Sequence, residues 1–412
     1  MTKKIVVTGI GATSPIGGTA QESWTALLAG ESGVRTMTHD WVEAHGLPVT
    51  FAAEAKVRPE EVLERQEIKR LDPSSQFALI ASREAWADAG LDGIDPERIG
   101  VDYSTGIGGL WTLLDAWDTL KEKGPRRVLP MTIPMLMPNA AAAAVSMSLG
   151  ARAYARTDVS ACASSTEAIA NAYDHLQKGY ADVVIAGGTE AVVHPLPIAA
   201  FAAMQALSKR NDDPATASRP YDITRDGFVL GEGAGSIVLE TEEHALARGA
   251  RIYAELAGGA VTSDSYHITA PDPSGSGAAR AVLAALAQAG ATPDEVSHIN
   301  AHATSTPVGD VAEYNALFAV FGERITQIPV SATKASTGHL LGGTGALEAI
   351  FTILALQNRL APPTINLTEQ DPAIPLDVVT SPRALGDGPL LAISNSFGFG
   401  GHNSVAAFRS YN

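Results

Sequence analysis

The chain of 412 residues contains 45% hydrophobic and 18% charged residues, a balance that is typical of a folded globular protein with a large core. Its formal net charge of −16 disfavours a nucleic-acid-binding protein and a protein held at an anionic membrane surface. The single cysteine excludes an intrachain disulfide and a cysteine-cluster metal site. No apolar run is long enough to span a membrane and no secretory signal pattern opens the chain, so we expect a cytoplasmic protein.

Short runs of β-branched residues alternate with stretches rich in alanine and leucine along the whole chain. In chain order, the runs occupy residues 5–8, 183–186, 236–239, 296–299 and 390–394. This alternation predicts an α/β fold, in which a mostly parallel sheet is covered by helices on both faces. No linker rich in proline or serine divides the chain, so we expect any two halves to share a common core.

Two similar segments predict a duplicated α/β half. Residues 159–162 read Val-Ser-Ala-Cys and residues 330–333 read Val-Ser-Ala-Thr, and each run leads into a predicted helix. Apolar residues recur at helical spacing in both helices, at Ile169, Ala172, Tyr173 and Leu176 in the first and at Leu347, Ile350, Phe351 and Leu354 in the second. We therefore expect the same strand, turn and helix to occur twice.

Cys162 is the candidate nucleophile. It follows a predicted strand and opens a predicted helix, where the positive end of the helix dipole favours the thiolate and lowers the pKa of the thiol. Its neighbours are alanine and serine, which leave room for a substrate. The alternative is a buried cysteine that acts as a small hydrophobic residue.

Two of the ten histidines are candidate partners for this thiol. His302 follows a predicted strand, and His339 precedes a glycine-rich entry to a helix. Both are therefore expected in loops at strand ends, where α/β proteins gather their catalytic groups. By contrast, His175 and His244 lie in polar helical segments, where we expect them to be exposed to solvent.

Two glycine-rich segments do not qualify as nucleotide sites. Residues 9–14 begin like a dinucleotide fingerprint but carry serine in place of the third glycine. Residues 338–344 have the glycines of a phosphate-binding loop, but Thr344 stands where the essential lysine belongs. No nucleotide cofactor is therefore expected.

Four motifs resemble the β-ketoacyl-[acyl carrier protein] synthases, and most closely the elongating enzymes of bacterial type II fatty acid synthesis. They are VSACASSTEAIA around Cys162, NAHATSTPVGD around His302, KASTGHLLGGTGALE around His339, and NSFGFGGHN at 395–403. The resemblance implies a thiolase-like fold of two duplicated halves in five layers, in a homodimer. Residues 1–250 would form the half with the nucleophile, and residues 251–412 the half with both histidines.

The resemblance also implies a decarboxylating Claisen condensation that needs no metal and no cofactor. Cys162 would take an acyl group from the phosphopantetheine thiol of acyl carrier protein, and the enolate formed from malonyl-acyl carrier protein would attack that thioester. His302 and His339 would donate hydrogen bonds to the enolate oxygen in a dry, preorganised site. Lys334 and its charge partner Glu348 would orient these groups and contribute electrostatically, although a solvated helix carboxylate is the alternative for Glu348.

By the same resemblance, the backbone N–H groups of Cys162 and Phe399 would stabilise the oxyanion of acyl transfer, and Phe399 would move as a gate. From spacing alone, residues 396–401 predict a tight hairpin turn with exposed aromatic side chains. Six further residues would bind substrate. Thr304, Thr306 and Thr269 would bind the pantetheine arm, Ile107 and Phe201 would line the acyl pocket, and Phe397 is a further substrate-binding candidate. Ile107 in place of a bulkier aromatic leaves room for medium or long chains. Turn formation and core packing are the alternatives.

An acidic enzyme that meets an acidic carrier protein needs a local basic patch. The resemblance favours Lys69 with Arg70 and Arg126 with Arg127 for docking, over the pair at 209–210. Solvated surface pairs are the alternative. Two departures from the family pattern, Ala303 for glycine and His402 for threonine, remove no catalytic group.

Several other functions remain to be weighed against the condensing enzyme. A thiolase would need a second cysteine, and a type III initiating synthase would use asparagine in place of His339. A ketosynthase of a type II polyketide pathway would share every catalytic residue. A Cys–His hydrolase would release free acid, and a non-enzymatic carrier-binding subunit would dock the carrier without acylation.

Overall fold

The computed structural model of the chain describes residues 3–411. Its strands are β1 (Ile5–Thr13), β2 (Arg35–Thr36), β3 (Phe51–Ala52), β4 (Ile99–Ser104), β5 (Tyr154–Arg156), β6 (Val183–Glu190), β7 (Gly233–Thr241), β8 (Ala254–Ser263), β9 (Val296–Asn300), β10 (Pro329–Ser331), β11 (Leu360–Ala361), β12 (Asp377–Val378), β13 (Arg383–Ala384), β14 (Leu391–Gly398) and β15 (His402–Ser410).

Helices alternate with these strands along the chain, as the sequence predicts. They are α1 (Ala20–Leu28), α2 (Asp40–Ala44), α3 (Arg65–Arg70), α4 (Pro73–Ala89), α5 (Leu110–Lys123), α6 (Thr132–Leu136), α7 (Ala140–Leu149), α8 (Ser164–Gln177), α9 (Pro195–Ala203), α10 (Glu242–Ala247), α11 (Ser276–Gln288), α12 (Pro307–Phe321), α13 (Lys334–Thr337) and α14 (Thr344–Asn358). Across residues 3–411, no helix is long and apolar enough to cross a bilayer.

Eleven strands form one continuous sheet in the order β12-β10-β9-β14-β15-β8-β1-β7-β6-β4-β5. The order β1-β7-β6-β4-β5 is repeated as β8-β15-β14-β9-β10, with the same parallel and antiparallel pairings, and the antiparallel pair β1–β8 joins the two sets. This repeat confirms the predicted duplication. The expectation of a mostly parallel sheet was wrong. Strands β7 and β15, which come last along the chain in their sets, each run antiparallel to both neighbouring strands.

The helices make the arrangement five layers deep. Helices α8 and α14 contact strands of both sets and form the middle layer. On the outer faces, α4 covers β1 and β7, and α11 covers β8 and β15. All but two of the residues of α14 are buried, as expected for a helix that is apolar all round. The division of the chain at residues 250 and 251, between α10 and β8, stays a prediction.

The middle helices also fix the position of the predicted nucleophile. Strand β5 leads through residues 157–163 into α8, and the corresponding strand β10 leads through residues 332–343 into α14. On α8, all four apolar residues that the spacing assigned to the core are buried, namely Ile169, Ala172, Tyr173 and Leu176. The only cysteine of the chain therefore lies directly before the N-terminus of α8, at one end of the middle layer.

The expectation that His175 is exposed was wrong. Only 5% of its surface is exposed, and its Nδ1 lies 2.9 Å from Oδ2 of Asp102 on β4. Its Nε2 lies 2.9 Å from a guanidinium nitrogen of Arg156 on β5. The ring is buried because this face of α8 packs on β4, and the buried carboxylate there supplies a partner that lies far away in the sequence.

Candidate active site

Cys162 lies in a 3₁₀ turn, Ala161–Ala163, directly before the first residue of α8. Ala161 has a φ of 51°, which is uncommon for a residue other than glycine. Ser164 stabilises this turn, because its hydroxyl donates to the carbonyl of Ala161 at 2.7 Å and accepts from the backbone N–H of Ser160 at 2.9 Å. The turn holds Cys162 at the N-terminal end of α8, where 8% of the surface of this residue is exposed.

The predicted lowering of the Cys162 pKa was wrong, because burial raises the pKa of this thiol to about 11. The charge of Lys334 and the backbone N–H groups of Phe399 and Cys162 lower the pKa of the thiol, but they do not offset the loss of hydration. The negative charge of Glu190 raises it further. The resting sulfur is therefore protonated at neutral pH.

This raised pKa predicts how the thiol reacts. We expect the alkylation rate with iodoacetamide to rise about tenfold per pH unit above neutral pH, because the thiolate fraction grows in that proportion below the pKa. Intact mass measures the rate at a single site, since the chain has one cysteine. A Cys162→Ala variant, which should take no label, is the control. A rate that is already constant at neutral pH would contradict the raised pKa.

Two backbone N–H groups point toward the sulfur of Cys162, as the resemblance implies for an oxyanion site. Both Phe399 and Cys162 direct their N–H groups to it. Phe399 comes this close because Gly398 has no side chain. A Cβ on Gly398 would lie 2.6 Å from the carbonyl oxygen of Ser160 and 3.0 Å from the nitrogen of Cys162.

Residues 396–401 form the predicted tight hairpin between β14 and β15, with Gly400 and Gly401 at positive φ. The prediction of exposed aromatic side chains was wrong, because Phe397 and Phe399 are half-buried and line the cavity. The ring centroid of Phe399 lies 6.5 Å from that of Phe201. The movement of Phe399 as a gate stays a prediction.

His302 lies in the loop after β9 and is held there by a carboxylate. Glu313 on α12 accepts hydrogen bonds from the backbone N–H groups of His302 at 2.8 Å and Ala303 at 2.7 Å. Asn395 on β14 donates to the same carboxylate at 3.1 Å. These contacts show that Glu313 positions the loop of His302.

His339 faces His302 across the cavity, with ring centroids 5.6 Å apart and an interplanar angle of 84°. Its Nδ1 lies 3.0 Å from the hydroxyl of Thr344 at the start of α14. Burial and the charge of Lys334 hold the pKa of both histidines well below the usual value of 6.5. Both imidazoles are therefore neutral at neutral pH, and the one N–H of a neutral imidazole can donate a hydrogen bond to an enolate oxygen.

The predicted ion pair of Lys334 and Glu348 is brought together in the core. Lys334 Nζ lies 2.7 Å from Oε1 of Glu348, and each side chain is 1% exposed. Burial raises the pKa of Glu348 to about 7, against the opposing effect of Lys334. The solvated alternative for Glu348 is therefore wrong. The lysine acts on the site at a distance, because its charge lowers the pKa of Cys162 and of both histidines.

A cavity of about 570 Å³ joins the catalytic and substrate-binding candidates. Its walls include Cys162, His302, His339 and Phe399 together with all six predicted substrate residues, Thr304, Thr306, Thr269, Ile107, Phe201 and Phe397. The hydroxyl of Thr306 also caps α12 by accepting the N–H of Gly309 at 3.2 Å. Asp310 in the first turn of α12 does not cap the helix, because its carboxylate accepts the N–H of Tyr221 at 3.0 Å.

The four docking candidates lie outside this cavity. Lys69 and Arg70 are exposed at the end of α3, and Arg126 and Arg127 are exposed in the 3₁₀ turn that follows α5. Their role in docking stays a prediction.

Sequence reasoning did not identify Glu190, the last residue of β6. This carboxylate is fully buried and accepts hydrogen bonds from the loop after β4 and from Gly342, close to Cys162. A glutamate at the end of an apolar strand is an unusual residue to bury, and that position is the one signal that would have identified it.

Comparisons with known proteins agree with this geometry. The models of the beta-ketoacyl synthase N-terminal and C-terminal domains match residues 2–245 and 253–368. Two curated relatives are named 3-oxoacyl-[acyl-carrier-protein] synthase 2. The protein of Synechocystis sp. is 48% identical over 99% of this chain and 98% of its own. The protein of Staphylococcus aureus is 46% identical over 99% of each chain.

Two solved structures match this chain over 100% of its length and 100% of their own. A beta-ketoacyl synthase from Burkholderia phymatum has a TM-score of 0.90 at 38% sequence identity. A type II polyketide ketosynthase, solved in complex with its acyl-carrier protein, has a TM-score of 0.92 at 33% identity. These matches extend over both histidines, the cysteine and the whole five-layered fold. The chain belongs to the beta-ketoacyl synthase family.

Proposed function

We propose that this chain elongates fatty acyl groups by condensing an acyl-enzyme with malonyl-acyl carrier protein to give a 3-oxoacyl-acyl carrier protein. The observation that carries the proposal is the convergence of one thiol, two neutral imidazoles and two backbone N–H groups on a single cavity. The names of relatives that are 46% and 48% identical support the same activity.

The first half-reaction transfers the acyl group to Cys162. The sulfur attacks the thioester carbonyl of the acyl carrier protein, and the resulting oxyanion is stabilised by the N–H groups of Cys162 and Phe399. The bond to the phosphopantetheine sulfur then breaks, and the proton released from Cys162 ends on that leaving thiolate. The raised pKa of Cys162 means that the sulfur carries this proton at rest, so the attack requires its loss.

The second half-reaction forms the carbon–carbon bond. Malonyl thioester loses carbon dioxide, and the electron pair of the broken bond forms an enolate, so no strong base is needed. His302 and His339 donate hydrogen bonds to the enolate oxygen. For His339 to donate from Nε2, the hydroxyl of Thr344 must donate to Nδ1, which fits their separation of 3.0 Å. The enolate carbon attacks the acyl thioester, and the bond between the acyl carbon and the sulfur of Cys162 breaks. The expelled thiolate takes a proton from water, which restores the resting thiol.

The proposed reaction takes its substrates on the phosphopantetheine arm of acyl carrier protein and requires no other cofactor. Thr304 and Thr306, whose hydroxyl oxygens lie 3.0 Å apart, line the cavity where that arm would enter. The cavity volume of about 570 Å³ supports accommodation of the arm with an acyl chain. We place this reaction in the cytoplasm, where fatty acid synthesis of this type would supply both substrates.

A two-step incubation tests the proposal. The protein is mixed with acyl-acyl carrier protein, its intact mass is measured, and malonyl-acyl carrier protein is then added. We expect a mass increase equal to the acyl group, followed by a β-ketoacyl product two carbons longer than the acyl donor. Release of free acid alone would support a hydrolase, and binding without a mass increase would support a carrier-binding subunit.

The second candidate, a type II polyketide ketosynthase, is not favoured. The solved polyketide ketosynthase shares 33% identity with this chain, whereas the relatives named for fatty acid elongation share 46% and 48%. Release of the product after one condensation would support fatty acid elongation, because a polyketide enzyme extends an unreduced chain repeatedly. Product mass after prolonged incubation separates the two.

We also propose that acyl carrier protein docks on the exposed basic pairs. A type II polyketide ketosynthase of the same fold was solved in complex with its acyl-carrier protein, which supports a carrier partner. Charge reversal of Arg126 and Arg127 to glutamate is expected to raise the apparent KM for carrier protein on the order of tenfold, because rim charges act mainly on association. Alkylation of Cys162 should not change.

The control for this prediction is Lys178→Glu. Lys178 is exposed at the end of α8 opposite Cys162 and is paired with Asp174 at 3.6 Å. This variant should leave the apparent KM unchanged. Equal KM values for the Arg126/Arg127 variant and the wild type would remove these arginines from the docking surface.

We further propose that the chain is a homodimer. Strand β5 ends the sheet order, so within the described residues its outer edge is open for pairing with a second copy. A second exposed surface is formed by helices α5 and α6 and by residues 124–131 between them. Its exposed apolar side chains are Leu113, Trp117, Leu120, Leu129, Met131 and Ile133. We expect light scattering to give twice the chain mass, and Trp117→Glu to shift the population toward monomer. A wild-type monomer would contradict the proposal.

A further inference from the structure

Glu190 joins two loops of the active site. Its Oε1 accepts hydrogen bonds from the hydroxyl of Thr105 at 2.8 Å and from the N–H of Ile107 at 3.3 Å. Its Oε2 accepts from the N–H of Gly106 at 2.8 Å and from the N–H of Gly342 at 2.9 Å. Every one of these groups is a donor, so the arrangement fits an ionised carboxylate with both oxygens engaged.

The two loops are in close contact only because they carry glycine. A Cβ on Gly342 would lie 2.1 Å from the nitrogen of Gly106, and a Cβ on Gly106 would lie 2.7 Å from Oε2 of Glu190. The backbone N–H groups of both glycines therefore point at one oxygen. Glu190 thus supplies the acceptor that each of these two N–H groups uses.

Each loop carries a wall of the cavity. The loop after β4 carries Ile107, and the loop before α14 carries Leu341, with His339 preceding it and the hydroxyl of Thr344 following it. Resting on the proposed function, we propose that Glu190 is a positioning residue: its carboxylate holds the Ile107 wall against the loop of His339 and thereby sets the acyl-chain length that Cys162 accepts.

The charge of Glu190 supplies a second, separable effect. Burial raises the pKa of Glu190 to about 7, and the four donors oppose that rise. Its charge in turn raises the pKa of Cys162. Removal of the charge should therefore make the thiol more reactive. Because unfolding would also expose the thiol and raise its rate, circular dichroism must first show that the variant is folded.

Glu190→Gln tests the positioning role. The amide keeps one acceptor oxygen and turns an NH2 donor toward the other pair of groups. At least one of the four hydrogen bonds is then lost, because a backbone N–H cannot accept, whereas the hydroxyl of Thr105 can. We compare the rate at which long-chain acyl-acyl carrier protein acylates Cys162 with the rate for a short-chain donor. We expect the ratio of the long-chain to the short-chain rate to rise at least about threefold, because the loop that carries Ile107 is no longer held in place. A ratio that matches the wild type in folded protein would overturn the proposal.

Glu84→Gln is the matched control. Glu84 is a half-buried carboxylate whose pKa burial raises to about 7, and it accepts two backbone N–H groups, from Ala12 at 2.8 Å and Ala20 at 3.0 Å. It lines no part of the active-site cavity. We expect this variant to lose stability and to keep the wild-type chain-length ratio, which separates positioning from general destabilisation.

A readout without carrier protein separates failure of this inference from failure of the proposed function. N-alkyl iodoacetamides with ethyl and dodecyl tails react with the single thiol whether or not the protein is a condensing enzyme. Their rate ratio should shift toward the dodecyl reagent in Glu190→Gln, and both rates should rise. If wild-type protein is not acylated but the ratio shifts, the proposed function fails and the positioning role stands.

Two further variants keep the test decisive. Glu190→Asp keeps the charge but withdraws the carboxylate by one methylene. The ratio of the dodecyl to the ethyl alkylation rate should therefore shift, while the rate with the ethyl reagent stays near that of the wild type. If Glu190→Gln does not fold, Thr105→Val removes one donor from Oε1 and should shift the ratio in the same direction. An unchanged ratio in both variants would overturn the inference.

Discussion

Replacement of Cys162 by alanine is expected to abolish acylation of the protein by acyl-acyl carrier protein and to lower the condensation rate by about 10³-fold or more. The reason is chemical, since the chain has no second cysteine and no other group in the cavity can form the thioester. Intact mass should show no added acyl group, and product analysis should show no chain two carbons longer.

The geometry around the alanine should remain intact, which gives this prediction its control. The N–H groups of residues 162 and 399 belong to the backbone, and both histidines are held by other residues, Glu313 and Thr344. The variant should therefore still bind acyl carrier protein with the wild-type affinity. An acyl adduct that persists after the substitution would place the nucleophile elsewhere and refute the proposed mechanism.

Substitution of either His302 or His339 by alanine is expected to leave acylation of Cys162 largely intact and to slow condensation by about 10²- to 10³-fold, the cost of removing one donor from a developing oxyanion. Single-turnover measurements separate the two steps. The first follows the acyl-enzyme by mass, and the second follows release of carbon dioxide from malonyl-acyl carrier protein.

The pH dependence gives a second check on the histidines. Because burial lowers the pKa of both imidazoles, they remain neutral as the pH falls through the range in which an exposed histidine would be protonated. We therefore expect no loss of the condensation step near pH 6.5, the usual value for histidine. An acid limb centred there would show that one of these rings is solvated.

A glutamine at either position is the informative conservative variant, because it keeps an N–H donor without a titrating ring. We expect it to recover part of the lost condensation rate relative to alanine. If alanine variants instead lose acylation and keep decarboxylation, the histidines serve the first half-reaction, and the assignment of roles is wrong.

Local patterns in the sequence predicted the elements of this fold well. Each of the five β-branched runs lies in a strand, and the helical spacing after Cys162 identified the buried face of α8. The likeness of residues 159–162 and 330–333 anticipated the repeated strand order. These features follow from hydrophobic periodicity, which each segment carries independently of the rest.

The errors arose where partners distant in the sequence decide the outcome. The dipole argument for Cys162 omitted the desolvation that the surrounding layers impose, which dominates its pKa. His175 was expected in solvent because its buried partner, Asp102, lies 73 positions away. Glu190 was missed because its importance depends on Gly342, which is 152 positions away. Such effects are set by tertiary packing and leave no local pattern.

The protonated state of the single thiol bears on how the protein withstands oxidants. Peroxide attacks thiolates, so a sulfur that stays un-ionised at rest forms sulfenic acid slowly. The chain contains no resolving cysteine that could convert a sulfenic acid to a reversible disulfide, and further oxidation would be permanent. Burial thus protects a nucleophile for which the chain has no means of repair, at the expense of its intrinsic reactivity between turnovers.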